Sequence, residues 1–176
     1  LWWPNNLGEQ NLYDLALEVV VEDKVSDINS NLLFERDEKI NVPPNQSVKV
    51  MDMPQPENLS STYFLDLRLM DNEDELIENN FYWLSTVPDI PDFENTTWYW
   101  TPNKQHADYT ALNIMPTTEI EYTYSVTIDS DVVNFEVQVQ NNSDKIALFI
   151  EFMLIDKESD EPIVPVFWSD NYISLL

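Results

Sequence analysis

The stretch "TEIEYTYSVTIDSDVVNFEVQVQ", residues 118–140, decides the fold. Ile120, Tyr122, Tyr124, Val126 and Ile128 occupy every second position, so in an extended chain they share one face. Asp129-Ser130-Asp131 then reads as a turn. Beyond it Val133, Phe135, Val137 and Val139 face one way, while Asn134, Glu136 and Gln138 face the other. Two such runs joined by a short polar turn predict an antiparallel β-hairpin with one apolar side.

The same signature recurs upstream. In "TYFLDLRLM" (62–70), Tyr63, Leu65, Leu67 and Leu69 lie opposite Asp66 and Arg68, as in a half-buried strand. The acidic run Asp71–Glu75 reads as a turn into "LIENNFYWLS" (76–85). Leu15–Val21, Leu32–Arg36 and Val48–Met53 are further strand candidates, separated by "EDKVSDINS" and "VPPNQS". Downstream, "KIALFIEFMLI" (145–155) is apolar on both faces except at Glu151 and predicts a central strand or one covered on both sides. No long helical period appears, and turn signals recur roughly every 8–12 residues, so the fold class is all-β of the sandwich type. With a single glycine, Gly8, the tight turns must be built by Asn, Asp and Pro. Between Thr86 and His106 the period breaks around Pro88, Pro91 and Pro102, as expected of a connection between domains.

Composition narrows the function. The 176 residues are 43% hydrophobic and 12% aromatic, enough to bury a core. Against 33 acidic residues stand 8 basic ones, a net charge of -25 that repels nucleic acid and anionic membranes. No apolar run approaches the roughly 18 residues of a membrane span. The absence of Cys excludes disulfides and thiolate metal sites. The chain does not open on Met and is read as a processed or partial product. Sequons at Asn45, Asn58, Asn95 and Asn141, each in a segment read as turn or loop, favour a secreted or vacuolar/lysosomal location.

Candidate chemistry is sparse. His106 is the only histidine, so a catalytic triad or an imidazole metal site lacks partners. Asp156–Glu161 alternates acids like a calcium loop, but without its glycine and closing glutamate it reads as a solvated hairpin turn. Glu151 is a lone carboxylate in apolar surroundings, whereas glycoside hydrolysis needs two carboxylates about 5–9.5 Å apart. No catalytic, metal or cofactor site is therefore assigned. Flat aromatic rings are more informative: Trp98, Tyr99 and Trp100 sit in the irregular connection, where rings can stack on sugars, and are the candidate carbohydrate contacts. Phe81–Trp83 reads instead as packing.

Three blocks, "ENNFYWLS" (78–85), "DYTALN" (108–113) and "PVFWSDNYISLL" (165–176), resemble the C-terminal sandwich domains of glycoside hydrolase family 2, of the exo-β-D-glucosaminidase and mannosylglycoprotein endo-β-mannosidase type. "LWWPNNLGEQNLYDL" (1–15) resembles the immunoglobulin-like domain that precedes the catalytic barrel of those enzymes. The resemblance implies a remnant of the pre-barrel domain at 1–22 with a seam between Val19 and Val25. It also implies a first immunoglobulin-like sandwich at 23–85, a linker at 86–107 and a second sandwich at 108–176. Because a sandwich takes about 100 residues, the second is expected to lack its last strands and to leave apolar surface uncovered. The barrel of about 250 residues, with both catalytic glutamates of that family, has no counterpart in this sequence. The resemblance implies a non-catalytic, bracing role in a retaining β-glycosidase, inactive alone. The catalytic barrel domain or chain is then the expected partner, with oligosaccharide as a second ligand, and the rival roles are a carbohydrate-binding module or one chain of a split glycosidase.

Overall fold

A computed structural model describes residues 17–44, 46–130 and 132–176. The block 1–15, with Trp2, Trp3 and Gly8, and the sequon residue Asn45 lie outside the described residues. Strands β1 (Leu17–Asp27), β2 (Leu32–Val42), β3 (Thr62–Met70) and β4 (Leu76–Ser85) form one antiparallel sheet in the order β2-β1-β3-β4. Short strands β5 (Ile90–Pro91) and β6 (Asn103–Gln105) pair with each other. Strands β7 (Ile120–Asp129) and β8 (Val132–Asn141) make the expected hairpin, paired without slip from Ile120↔Asn141 to Asp129↔Val132. Strand β9 (Ala147–Ile150) pairs with β10 (Ile173–Leu175). The only helical segments among the described residues are 3₁₀ turns at Phe93–Asn95 and Thr110–Ile114. The class is all-β, with immunoglobulin-like units, as expected.

Three of the turns use one device. Asp27 Oδ1 accepts hydrogen bonds from the N–H groups of Asn29 and Asn31 at 2.9 and 2.8 Å. Asp71 Oδ1 does the same for Glu73 and Glu75 at 2.8 and 2.9 Å. Asp156 Oδ1 accepts from Glu158 N at 3.0 Å and from Ser159 N at 2.8 Å. Each aspartate satisfies backbone donors that a ladder would otherwise hold. The left-handed backbone that a glycine usually supplies falls on Ser30 (φ 70°), Asp74 (φ 62°) and Asp160 (φ 58°). The runs Asp71–Glu75 and Asp156–Glu161 are thus hairpin turns, as their sequence predicts.

Several expectations need correction. "EDKVSDINS" is not a connection: Glu22–Asp27 continue β1, because their charges are matched across the ladder. Lys24 pairs with Glu35 at 3.1 Å, and Asp23 faces Arg36 at 3.8 Å. Val48–Met53 forms no strand; Pro43 and Pro44 before it and Pro54 and Pro56 after it withhold the backbone donors that pairing needs. The apolar run 145–155 is a strand only over Ala147–Ile150. Phe149 turns left-handed (φ 58°), and the side chain of Asn171 caps the backbone of Phe152 on both sides, accepting from its N–H at 2.7 Å and donating to its carbonyl at 3.0 Å.

The largest departure concerns β3. Its alternation predicts one wet face, yet Phe64 and Asp66, both on that face, are 1% and 2% exposed. Register explains the burial: Phe64 lies opposite Ser26 and Trp83, and Asp66 opposite Lys24 and Phe81. Phe64 stacks on Phe81 with centroids 5.6 Å apart and joins Ile28 and Ile146 in a core flanked by Ala111, Leu112, Met115 and Leu148. That core spans both halves of the chain. Polar bonds reinforce it: Ile146 N donates to Ser30 Oγ at 2.9 Å, Thr62 Oγ1 to the Asp108 carbonyl at 3.0 Å, and Asp108 N to Ser85 Oγ at 3.1 Å. Phe81 packs as expected and Trp83 meets Phe149 edge-on at 5.2 Å, but Trp83 stays 38% exposed and Tyr82, expected to pack with them, is 43% exposed.

Burial also traps charge. Asp66 Oδ2 accepts from Arg68 Nε at 2.7 Å, but its Oδ1 has no partner. Burial raises the Asp66 carboxyl above the ordinary 3.8, opposed by the nearby Arg68, and raises Asp23 likewise, opposed by Arg36. The folded state therefore holds these protons more tightly than the unfolded chain. The stability they contribute is fullest below 3.8 and declines as the pH rises through their raised values.

Two outcomes follow for urea denaturation. Phe64→Ala should lower the unfolding free energy by about 3–5 kcal/mol, since the cavity falls at the junction of both halves. The midpoint should rise as the pH falls from neutral towards 3.8, and the double variant Asp23→Asn/Asp66→Asn should show a smaller rise.

Candidate functional site

The β5–β6 hairpin carries the candidate sugar contacts. At its base Asp89 Oδ1 accepts from Asn103 Nδ2 and Ala107 N, both at 3.0 Å, and Gln105 Nε2 donates to the Pro88 carbonyl at 2.8 Å. Midway, Asp92 N donates to the Pro102 carbonyl at 2.7 Å, and the hydroxyls of Thr96 and Thr101 meet at 3.2 Å. At the tip both the N–H and the hydroxyl of Thr97 donate to the Trp100 carbonyl, at 2.8 and 3.1 Å. The irregular connection between Thr86 and His106 thus contains a closed, hydrogen-bonded projection. Proline removes donors there, but side chains replace the missing ladder.

Rings crown this projection. Trp98 is 94% exposed and Tyr99 72%, and they meet edge-to-face with centroids 5.0 Å apart. Trp100 and Phe93 are also exposed. Midway along it two acids flank one cation: Lys104 Nζ lies 3.5 Å from Asp92 and 3.6 Å from Glu94. The amide of Asn95 donates to Asp92 Oδ2 at 2.6 Å, and this bond, with help from Lys104, holds the Asp92 carboxyl below its ordinary range.

The other residues singled out in the sequence lie apart. His106 is exposed, with Nδ1 3.8 Å from Asp89 Oδ1 and 3.4 Å from the Asn103 amide. Among the described residues no group of three His, Asp or Glu side chains is arranged to hold a metal. Glu151 is exposed at the end of β9, where it accepts from Tyr172 Oη at 2.8 Å and pushes that phenol's pKa up. Asn58 sits in a turn (φ 70°). Asn95 ends the first 3₁₀ turn. Asn141, expected in a turn, is the last residue of β8, and its amide nitrogen donates to the carbonyls of Lys145 and Leu175 at 2.6 and 3.3 Å.

A second surface was not legible as a site. The apolar face of the β7–β8 hairpin, which alternation marks as core, is open: Tyr124 is 71% and Ile128 74% exposed. With Phe152, Leu154 and Trp168 it lines a groove of about 530 Å³, in which Glu151 is the only charged side chain among the described residues. A neighbouring cavity of about 570 Å³ shares Phe135, Leu154 and Trp168 and reaches Phe167.

These features define a class, a tandem of immunoglobulin-like β-domains with an aromatic projection and an open apolar face. Residues 12–87 match the mannosidase Ig/CBM-like domain, and residues 98–176 match the exo-β-D-glucosaminidase Ig-fold domain. Residues 12–87 and 98–176 belong, respectively, to these two immunoglobulin-like domain families. The second match opens at Trp98, inside the stretch read as linker. The chain is 31% identical over 154 residues to the exo-β-D-glucosaminidase of Hypocrea jecorina, covering 85% of this chain and 17% of that protein. It is 36% identical over 120 residues to that of Streptomyces avermitilis, covering 66% and 13%. The exo-chitosanase CsxA of Amycolatopsis orientalis superposes with a TM-score of 0.83 at 23% identity, over 92% of this chain and 20% of that one, and shows the shared fold. The chain thus spans less than a fifth of the length of these two curated relatives.

Exposure can be read by fluorescence. Trp98→Phe should reduce the red-shifted, readily acrylamide-quenched component of the emission, and by more than Trp83→Phe does at a ring packed on Phe149.

Proposed function

We propose that the chain is the accessory, non-catalytic β-sandwich region of a retaining β-glycosidase, and that it braces the catalytic barrel. A β-glucosaminidase fits the named relatives best; a β-mannosidase shares the first domain type. The observation that carries this reading is the open face of β7–β8. Among the described residues no layer covers the row formed by Tyr122, Tyr124, Val126 and Ile128, which stands beside a groove with a single carboxylate. Such a surface gains free energy by meeting further apolar polypeptide, at about 25 cal/mol per Å² removed from water. A second copy of the chain is a poor cover, because two chains each carrying -25 repel one another. The rest of the glycosidase is the partner that this reading supplies. The shared core around Phe64 suits a brace, since its burial draws on residues from both halves of the chain.

Co-expression tests the proposal. The chain and the barrel-bearing remainder of such a glycosidase should co-purify, and Tyr124→Asp with Phe135→Asp should weaken that association by about tenfold or more. The isolated chain should not hydrolyse aryl β-glucosaminide or aryl β-mannoside. Failure to associate, or turnover that persists through rigorous purification, overturns the reading.

A further inference from the structure

We propose that, in a chain exported through the secretory route, Asn58 carries an N-linked glycan and Asn141 does not, although both head an Asn-x-Ser motif. The two motifs are alike in sequence and opposite in structure. Asn58 is exposed on the turn at Glu57–Asn58, in the left-handed backbone (φ 70°) that asparagine tolerates. Among the described residues its carboxamide makes no hydrogen bond, so modifying it takes nothing from the fold. Transfer forms a bond from Asn58 Nδ2 to the anomeric carbon of a sugar carried on a lipid pyrophosphate. The sugar–phosphate bond breaks, the lipid pyrophosphate leaves, and the amide nitrogen gives up one of its two protons. The serine of the motif is engaged in the folded chain, where Ser60 Oγ accepts from Ile28 N at 3.0 Å and donates to the Thr62 carbonyl. Thr62 opens β3, which is synthesised after the motif, so transfer to Asn58 precedes the closing of that bond.

At Asn141 the carboxamide is used up by the fold. Its nitrogen donates to the carbonyls of Lys145 and Leu175 at 2.6 and 3.3 Å, while Oδ1 accepts from Ser143 N at 3.1 Å and Thr118 Oγ1 at 3.2 Å. One side chain thereby ties the end of β8 to the turn before β9 and to β10. A glycan replaces one of the two amide hydrogens, so one of two partly buried carbonyls loses its donor. The sugar must also enter where these segments meet. Asn95 lies between the two cases, with one amide hydrogen given to Asp92 Oδ2 at 2.6 Å and one left over.

Secretion of the whole chain from yeast behind a cleavable leader tests the proposal. Amidase release of glycans in heavy-oxygen water converts each occupied asparagine to a labelled aspartate, which peptide mapping locates. The soluble, secreted chain should be labelled at Asn58 and not at Asn141. In unglycosylated chain made in bacteria, Asn141→Asp should unfold at lower urea than the parent, since a carboxylate has no hydrogen for either carbonyl. Asn58→Asp adds the same charge and should unfold close to the parent. Label at Asn141 in the soluble chain, a bare Asn58, or an Asn141→Asp variant as stable as the parent overturns the proposal. Label at Asn141 confined to retained, aggregated chain supports it, because the sugar then blocks folding.

Discussion

Phe64 is the side chain through which the two halves of this protein are joined. It stands on the face of β3 that also carries Thr62, Asp66 and Arg68, and its burial requires Phe81 from the same sheet, Ile28 from the first turn and Ile146 from beyond the β7–β8 hairpin. Burying a phenylalanine contributes on the order of 2–3 kcal/mol, enough to carry its polar neighbours inward with it. The consequence is visible at Asp66, which is desolvated beside Arg68 with one oxygen unpartnered. A charge is tolerated there because the junction needs the ring beside it.

A chain with one glycine must still reverse direction repeatedly, and aspartate does the work. At Asp27, Asp71 and Asp156 the carboxylate takes up backbone donors within the turn, so a left-handed residue three or four places on is held by local bonds. Acidity therefore has a structural share here as well as a role in solubility. The same composition biases what the surface can meet: polyanions are turned away, and ligands that bring positive charge or apolar cover are favoured.

Much of this was legible in the residues. The β3–β4 and β7–β8 hairpins, the aspartate turns and the packing of Phe81 follow from period and turn chemistry. Trp98, Tyr99 and Trp100 stood out because three rings in a proline-broken stretch have no strand face to hide on. What misled was compensation at a distance. Glu22–Asp27 looks too charged for a strand until Glu35 and Arg36 lie opposite, and 145–155 looks like one strand until Asn171 takes over the backbone of Phe152.

By itself the sequence determined which side chains share a face and where the chain turns, because both depend on backbone geometry over a few residues. Only the tertiary structure decided which faces are covered. Alternation gives β3 a wet side and β7–β8 a dry one, yet Phe64 and Asp66 are buried while Tyr124 and Ile128 are open. Burial is settled by what arrives from elsewhere in space, and the period of a strand carries no record of it.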